Sequence, residues 1–308
     1  MLQPAVPITF GLKLAIWVDE LARTRERLAA CRGRVVVGQL GGAAGTLASL
    51  GVDGPAVRAA FCRLLGLGEP TTPWHTARDG FAELVSTLGI LAATLEKIAL
   101  EIIRLQATEV AEAAEPPRDG HVGSSTMPQK RNPMISEQIA GVCKLVRGLA
   151  PVMQGAMIGE HERDMAAWSV EWLLVPQALI MSDAALVQLL GIVSDLCVDD
   201  AQMAANLELT QGAILAEAVM LALGRHLGRE RAHHLMMSVT RDRDLRGVHL
   251  LEALREHPEV KDLLAPEDLE QLLDPTTYLG EAAELAESAA ARALGDGALT
   301  DSATVPAA

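Results

Sequence analysis

The sequence predicts an all-α fold, in which a bundle of long helices is followed by a small helical C-terminal domain. Alanine and leucine dominate the composition: 50% of the 308 residues are apolar and only 3% are aromatic, which favours helix over sheet. Apolar residues also recur in long stripes at alternating spacings of three and four. That spacing keeps one helix face against a neighbour over many turns.

Four stripes define the long helices of the predicted bundle. They run from Leu14 to Cys31, from Phe81 to Leu105, from Ile135 to Met153, and from Met165 to Leu179 with a continuation from Leu186 to Leu196. Helices of this length imply an elongated bundle with nearly parallel or antiparallel axes.

Apolar residues also lie off the stripes, and they predict oligomerisation. Ile90, Ala93 and Leu100 flank the stripe of the Phe81–Leu105 helix. A helix that is apolar on several sides is buried on several sides, and four helices alone cannot cover that surface. Pro176 is expected to kink the helix that contains it.

The helical patterns shorten after residue 206, which predicts a domain boundary. We expect a bundle domain over residues 1–206, a C-terminal domain of short helices over 207–294, and a flexible tail over 295–308. Between the first two stripes, residues 35–51 combine a valine run, read as a strand or an extended crossing, with glycines suited to tight turns.

The formal net charge of −14 argues against nucleic acid or an anionic membrane surface as a partner, because both need a basic face. It leaves a small anionic substrate open. No signal peptide and no uninterrupted apolar run long enough to span a bilayer is evident. The four cysteines, Cys31, Cys62, Cys143 and Cys197, form no close pair in the sequence, and we interpret them as core thiols. We therefore expect a soluble cytoplasmic protein.

Residues 118–133 read as a loop between two long helices, with glycine joints and proline stops. Asn132 followed by Pro133 predicts a helix start, with Asn132 as the N-cap. The positive end of that helix, together with Lys130 and Arg131, predicts an anion-binding corner beside a pair of serines. The alternative is that these residues are a plain cap and solvated cations.

The stretch from Gly123 to Pro133, GSSTMPQKRNP, is hereafter the signature segment. It resembles the Gly-Ser-Ser-x-Met-Pro-x-Lys-x-Asn pattern of the fumarase/aspartase superfamily. The resemblance implies that Ser124 is the general base that removes a proton beside a carboxylate, which requires its oxyanion to be stabilised. It further implies that Lys130 and Asn132 hold that carboxylate, while Ser125 and Met127 line the same segment.

Within the superfamily, the sequence is most similar to the bacterial 3-carboxy-cis,cis-muconate cycloisomerases. The N-terminal LQPAVPITFG, which contains Gln3, follows the cycloisomerase form, and GGAAGTLASLG at 41–51 and HERDMAAWSVEW at 161–172 agree. The resemblance implies interconversion of 3-carboxy-cis,cis-muconate and 4-carboxymuconolactone in protocatechuate catabolism. Gln3 would then contact substrate, and His161 and Arg163 are further candidates. Trp168 and Trp172 are at least as readily core residues.

Two other functions stay open. One is a carbon–nitrogen lyase of the adenylosuccinate or argininosuccinate type, since lyases of the adenylosuccinate type share the Glu-Arg-Asp at 162–164. The third hypothesis is a non-catalytic helical scaffold. We expect no metal and no cofactor, because His161 with scattered carboxylates is a weak ligand set. The GGAAGT stretch lacks the Lys-Ser/Thr that a phosphate-binding P-loop requires.

The resemblance also implies a homotetramer with composite active sites and a small polycarboxylate substrate. Members of the superfamily carry a further N-terminal domain with the first conserved region, which this sequence lacks. We therefore expect the chain as written to be poorly active or inactive.

Overall fold

The computed structural model describes residues 3–117, 126–127 and 129–297, and it describes residues 296 and 297 by their backbone alone. Within these ranges there are twelve α-helices and one antiparallel pair of two-residue strands, so the all-α prediction is confirmed. The helices are α1 Phe10–Val35, α2 Gly54–Leu64, α3 Asp79–Leu105, α4 Met134–Gly155, α5 Met165–Val193, α6 Asp200–Leu207, α7 Ala216–Leu227, α8 Arg229–Arg246, α9 Leu250–Glu256, α10 Pro258–Lys261, α11 Pro266–Leu272 and α12 Ala282–Gly297; the strands are β1 Ala113–Ala114 and β2 Cys197–Val198.

The chain forms two compact units. One consists of Asp19–Val198, and the other of Met1–Val18 with Asp199–Ala308. The predicted domain boundary after residue 206 stays a prediction. The predicted tail begins within α12, which continues to Gly297, and residues 298–308 lie outside the described ranges.

The bundle unit is built on three long helices, α3, α4 and α5. Helix α4 runs antiparallel to α3, because its last turn meets the start of α3 where Gln154 Nε2 donates to Ser86 Oγ at 3.2 Å. Helix α5 returns parallel to α3. Its first turns contact Arg78 at the start of α3, and the strand that follows it pairs with β1 beyond the end of α3.

The interface between α3 and α4 is mainly apolar and includes one buried carboxylate, that of Glu96. Ile98, Ile102 and Ile139 are almost completely buried there. Glu96 pairs with Arg147 of α4 at 2.6 Å between Oε2 and Nη2. Burial, with Glu96 nearby, raises the pKa of the Cys143 thiol to about 11. Cys143 is therefore protonated at neutral pH and packs as a core residue, as predicted.

The predicted long stripes each form a helix, and the remaining differences are local. Helix α5 continues through Pro176 as one element of 29 residues. The valine run makes only an isolated parallel bridge, between Val37 and Gly68, and helices α2 and α6 were not foreseen. The core assignment of Cys197 is wrong: this thiol is exposed, because it lies on the two-residue strand β2 and not on a helix face.

Helix α5 corrects the expectation that no run could span a bilayer. By length and composition it could, with a mean hydropathy of 1.7 over its most apolar window, of which only 22% is buried within the chain. Helix α5 nevertheless packs against α3 and α4, and its Glu171 pairs with a buried arginine. The uncovered face of α5 includes Leu173, Ile180, Val187 and Leu190.

The second unit has its own core, made by α7, α8, α9 and α11. Leu223, Leu250 and Leu254 are fully buried in it. Arg243 of α8 fixes the turn before α7, because its Nη1 donates to the Thr210 carbonyl at 2.8 Å. The short helices predicted for this part of the chain are present, with α10 as an addition.

Candidate active site

The described part of the signature segment lies directly before α4. Met127 and Lys130 are exposed, and the Lys130 amide donates to the Met127 carbonyl at 3.1 Å. Asn132 is half-buried, and its carbonyl accepts from the Met134 amide at 2.9 Å. Ser124 and Ser125 lie outside the described residues, so their roles stay predictions.

The start of α4 differs from the expected one. The helix begins at Met134 with Pro133 in the cap position, one residue later than predicted, and Pro133 makes no side-chain cap bond. The Glu115 carboxylate instead accepts from the amides of Ile135 at 3.4 Å and Ser136 at 2.6 Å. The predicted open anion-binding helix end is therefore wrong, because an internal carboxylate already occupies these amides.

A second group of candidate residues meets at the start of α5. Arg163 donates from Nε to the Ala43 carbonyl at 2.9 Å and from Nη2 to the Gly42 carbonyl. Its guanidinium carbon lies 5.7 Å from the Trp168 ring centroid. The rings of Trp168 and His75 are 5.2 Å apart, and Trp168 Nε1 donates to the His75 carbonyl at 3.2 Å. We call His75, Arg163 and Trp168 the arginine–tryptophan corner.

The turn at residues 41–45, which accepts hydrogen bonds from Arg163, requires glycine for a steric reason. Gly45 adopts a φ of +86°, and a Cβ there would lie 2.6 Å from Pro73 Cγ. Only glycine fits such a left-handed and crowded position. The turn thereby aims the Gly42 and Ala43 carbonyls at Arg163. The structure thus joins two stretches that resemble the cycloisomerases, 41–51 and 161–172.

The neighbours of Arg163 in its own motif have different roles. Asp164 caps α5 by accepting from the Ala166 and Ala167 amides, and bonds to the Ala167, Glu160 and Ala166 amides lower the pKa of its carboxyl. His161 has a φ of +53°, a conformation uncommon outside glycine, and its side chain is exposed. Trp172 is 58% exposed, so the interpretation of this residue as core does not hold within the chain.

A buried ion pair lies beside the corner. Arg78 Nε donates to Glu171 Oε2 at 2.6 Å, Nη2 makes a second bond to the same carboxylate, and the two side chains are 6% and 10% exposed. The guanidinium also lies over Trp74, 4.5 Å from its ring centroid. This bidentate pair ties the start of α3 to the second turn of α5, and so fixes the distance between His75 and Trp168.

His75 was not singled out by the sequence, and it is the titratable group of this corner. Burial lowers the pKa of its imidazole, and the charges of Arg163 and Arg78 lower it further. Its Nδ1 is buried and has no hydrogen-bond partner among the described residues. A neutral imidazole is therefore the form that the folded chain favours at neutral pH.

The lowered pKa of His75 predicts a pH dependence of stability. Below the ordinary histidine pKa of about 6.5, the unfolded chain binds a proton that the folded chain does not, so stability falls as pH falls. We expect the melting temperature to decrease between about pH 7 and pH 5, and His75→Gln to flatten that decrease. Thermal melts over this range test it, with His226→Gln at an exposed histidine as control. Equal slopes for wild type and His75→Gln would contradict the prediction.

The two groups of candidate residues lie at opposite ends of the bundle. The corner adjoins Arg78 at the start of α3, whereas Gln106, just after α3, donates to the Arg131 carbonyl at 3.1 Å. Helix α3 has 27 residues, so the two groups are about 40 Å apart. Lys130 and Arg163 of one chain therefore cannot contact the same small molecule.

Gln3 is exposed and belongs to the other compact unit, and its role stays a prediction. Among the described residues, no group of three or more histidine, cysteine, aspartate or glutamate side chains is placed to hold a metal ion. The prediction that the protein uses no cofactor stays open.

Comparison with known proteins assigns the family. A family model described as lyase matches residues 1–148, and one described as adenylosuccinate lyase C-terminus matches residues 212–289. The chain belongs to the fumarase/aspartase superfamily. The resemblance of the signature segment to this superfamily is thereby confirmed.

The relatives within the fumarase/aspartase superfamily include more than one activity. The chain is 43% identical over 295 residues to 3-carboxy-cis,cis-muconate cycloisomerase of Pseudomonas aeruginosa, covering 94% of this chain and 63% of the relative. It is 38% identical to N-acetyl-S-(2-succino)cysteine lyase of Dickeya dadantii, covering 96% and 65%. The crystal structure of 3-carboxy-cis,cis-muconate lactonizing enzyme from Pseudomonas putida superposes with a TM-score of 0.88 at 40% identity, covering 96% and 65%. The chain thus spans somewhat less than two thirds of these relatives.

Proposed function

We propose that the protein is a cycloisomerase that interconverts 3-carboxy-cis,cis-muconate and 4-carboxymuconolactone, as part of protocatechuate catabolism. The observation that carries this proposal is the 43% identity, over 94% of the chain, to an enzyme of that name. The superposition on a muconate lactonizing enzyme supports it. We place the enzyme in the cytoplasm.

The proposed chemistry moves one proton and one carbon–oxygen bond. In lactonisation, a carboxylate oxygen of the substrate adds to a double bond, and the carbon beside the neighbouring carboxylate takes up a proton. In the reverse direction Ser124 is the base that removes this proton, and the lactone carbon–oxygen bond then breaks. Negative charge collects on the neighbouring carboxylate, so donors fixed there contribute most.

Lys130 and Asn132 are the proposed donors to that carboxylate. Because Glu115 occupies the amides of Ile135 and Ser136, the α4 end does not supply them. The ammonium of Lys130 is exposed and lies on the same short stretch as Asn132. Side chains, and not the helix end, would therefore bind the substrate here, with Ser125, Met127 and Gln3 as further proposed contacts.

We propose a homotetramer with composite active sites as the functional form. The separation of about 40 Å between Lys130 and Arg163 within one chain supports this, because different subunits are needed to bring them together. The uncovered apolar face of α5 supports it as well, since a surface of that kind is typically covered by another copy.

A mixing experiment tests the composite site. Lys130→Ala and Arg163→Ala proteins are each expected to be nearly inactive. After their subunits are exchanged, activity should return to about a quarter of wild type, the fraction of sites that receive both intact residues by random pairing. Lys130→Ala mixed with Asn132→Ala is the matched control, because both changes affect the same segment. Recovery in the control, or its absence in the test mixture, would contradict the proposal.

A carbon–sulfur or carbon–nitrogen lyase is the second candidate function. The 38% identity to N-acetyl-S-(2-succino)cysteine lyase favours it, as does the adenylosuccinate lyase C-terminal model. Turnover of carboxymuconate, N-acetyl-S-(2-succino)cysteine, adenylosuccinate and argininosuccinate, measured side by side on the complete protein that carries this chain, separates the candidates. Turnover of carboxymuconate alone supports the cycloisomerase, and inertness with all four supports a non-catalytic scaffold.

A further inference from the structure

The two stretches that flank the predicted catalytic residues are tied to one side chain. Gln106 follows the last residue of α3, and its Oε1 accepts a hydrogen bond from the Glu115 amide at 2.9 Å. Its Nε2 donates to the Arg131 carbonyl at 3.1 Å. The chain segments before and after the predicted catalytic residues are thus both hydrogen-bonded at the end of α3, although residues 115 and 131 are distant in sequence.

Glu115 makes the second connection, from the incoming chain to α4. Its two oxygens accept from the Ile135 and Ser136 amides, and both of these residues are buried. A carboxylate at a helix N-terminus gains from the helix dipole and from charge-assisted hydrogen bonds, which are stronger than neutral ones. The preceding residues, Ala113 and Ala114, are fixed by their pairing with β2. The carboxylate is therefore anchored from both sides.

Lys130 and Asn132 depend on these contacts for their position. Arg131 lies between them, and its carbonyl accepts a hydrogen bond from Gln106. The residues that follow enter α4, where the first amides donate hydrogen bonds to Glu115. A side chain on a three-residue stretch moves with its backbone. Displacement of a binding group by about 1 Å can lower the rate of an enzyme 10²-fold.

We propose that Glu115, supported by Gln106, is a positioning residue of the active site, which sets where Lys130 and Asn132 stand and keeps the substrate carboxylate off the end of α4. The proposal rests on the proposed role of Lys130 and Asn132. Neither Glu115 nor Gln106 touches the substrate in it. Both residues lie outside the signature segment and belong to no motif, so they could not be identified from the sequence.

Glu115→Ala is the primary test, measured in the complete protein that carries this chain. We expect kcat/KM for carboxymuconate to fall by about 10- to 100-fold, mainly through a higher KM, because the two substrate-binding groups shift. Glu115→Gln keeps one acceptor and the shape of the side chain, so it should lie between wild type and alanine. Formate should restore much of the loss in Glu115→Ala, because it can occupy the vacated amides, whereas sodium chloride at equal ionic strength should not.

Hydrogen–deuterium exchange provides a readout that needs no turnover. In Glu115→Ala, the amides of residues 131, 132 and 134–136 should exchange faster, and formate should slow them again. Glu109→Ala, which removes an exposed carboxylate from the preceding turn, is the matched control and should change neither exchange nor kinetics.

The two proposals fail in different ways. Faster exchange that formate reverses, in a protein without turnover of carboxymuconate, rejects the proposed reaction but supports the positioning role. Unchanged exchange in Glu115→Ala overturns the positioning role. So does a wild-type kcat/KM in an active Glu115→Ala enzyme whose melting temperature is lowered, since Glu115 would then only stabilise the fold.

Discussion

Replacement of Ser124 by alanine, in the complete protein that carries this chain, is expected to lower kcat by about 10²- to 10⁴-fold. The expectation follows from the proposed role of Ser124 as the base that exchanges a proton beside the substrate carboxylate. Removal of an interaction made only in the transition state lowers kcat and kcat/KM together and leaves KM almost unchanged. The loss of carboxymuconate absorbance under steady-state conditions measures it.

Ser194→Ala is the control for this measurement, because it removes an exposed hydroxyl just after the end of α5. It should retain wild-type kinetics, and both variants should show the circular dichroism and the assembly state of the wild type. An active Ser124→Ala protein would mean that another group is the base. His75, which is neutral at its corner, would then be the first residue to substitute.

The second large effect is expected on stability, from Glu171→Gln. The substitution leaves the Arg78 guanidinium buried without its counter-charge, and the breaking of a buried ion pair typically costs about 3–5 kcal/mol of the free energy of unfolding. Urea unfolding measures it. The protein concentration must be the same for all variants, because assembly itself contributes to apparent stability.

The chain offers a matched control in the pair Arg34–Glu83. It has the same bidentate geometry, with Arg34 Nε 2.7 Å from Glu83 Oε2, but its side chains are 55% and 39% exposed. Glu83→Gln should therefore cost less than about 1 kcal/mol. The double variant Arg78→Met/Glu171→Leu should regain most of the stability that Glu171→Gln loses, since no unpaired charge remains. Equal losses from Glu171→Gln and Glu83→Gln would show that burial does not set the strength of the pair.

The periodic part of the fold was predictable from the sequence. Stripes with alternating spacing predict where long helices lie, and α1, α3, α4 and α5 follow them within a few residues. The buried face of α5 differs from its stripe, because Trp172 and Leu179 are exposed whereas Ala178 is buried. The short helices α2 and α6 carry no such stripe and were missed. The glycines at 41–45 were expected to allow a tight turn, but the partner of this turn was not foreseen, because its contact with Arg163 joins residues more than a hundred positions apart.

The candidate site could be predicted only where a motif names its residues. The signature segment gives Lys130 and Asn132, whereas the residues that hold it in place, Gln106 and Glu115, belong to no motif. A glutamate that caps a helix from twenty residues away has no local signal in sequence, since the usual cap is the residue just before the helix. His75 was missed for a related reason: its lowered pKa arises from Arg163 and Arg78, which only folding brings near.

The antiparallel course of α3 and α4 has a consequence for how activity would appear in a cell. A folded monomer carries Lys130 at one end of the bundle and Arg163 at the other. Under the composite-site proposal, the monomer therefore has no complete active site. Specific activity would then depend on concentration and fall on dilution, as subunits separate by mass action. Newly made chains would be silent below a threshold abundance, so the level of expression would itself act as the switch.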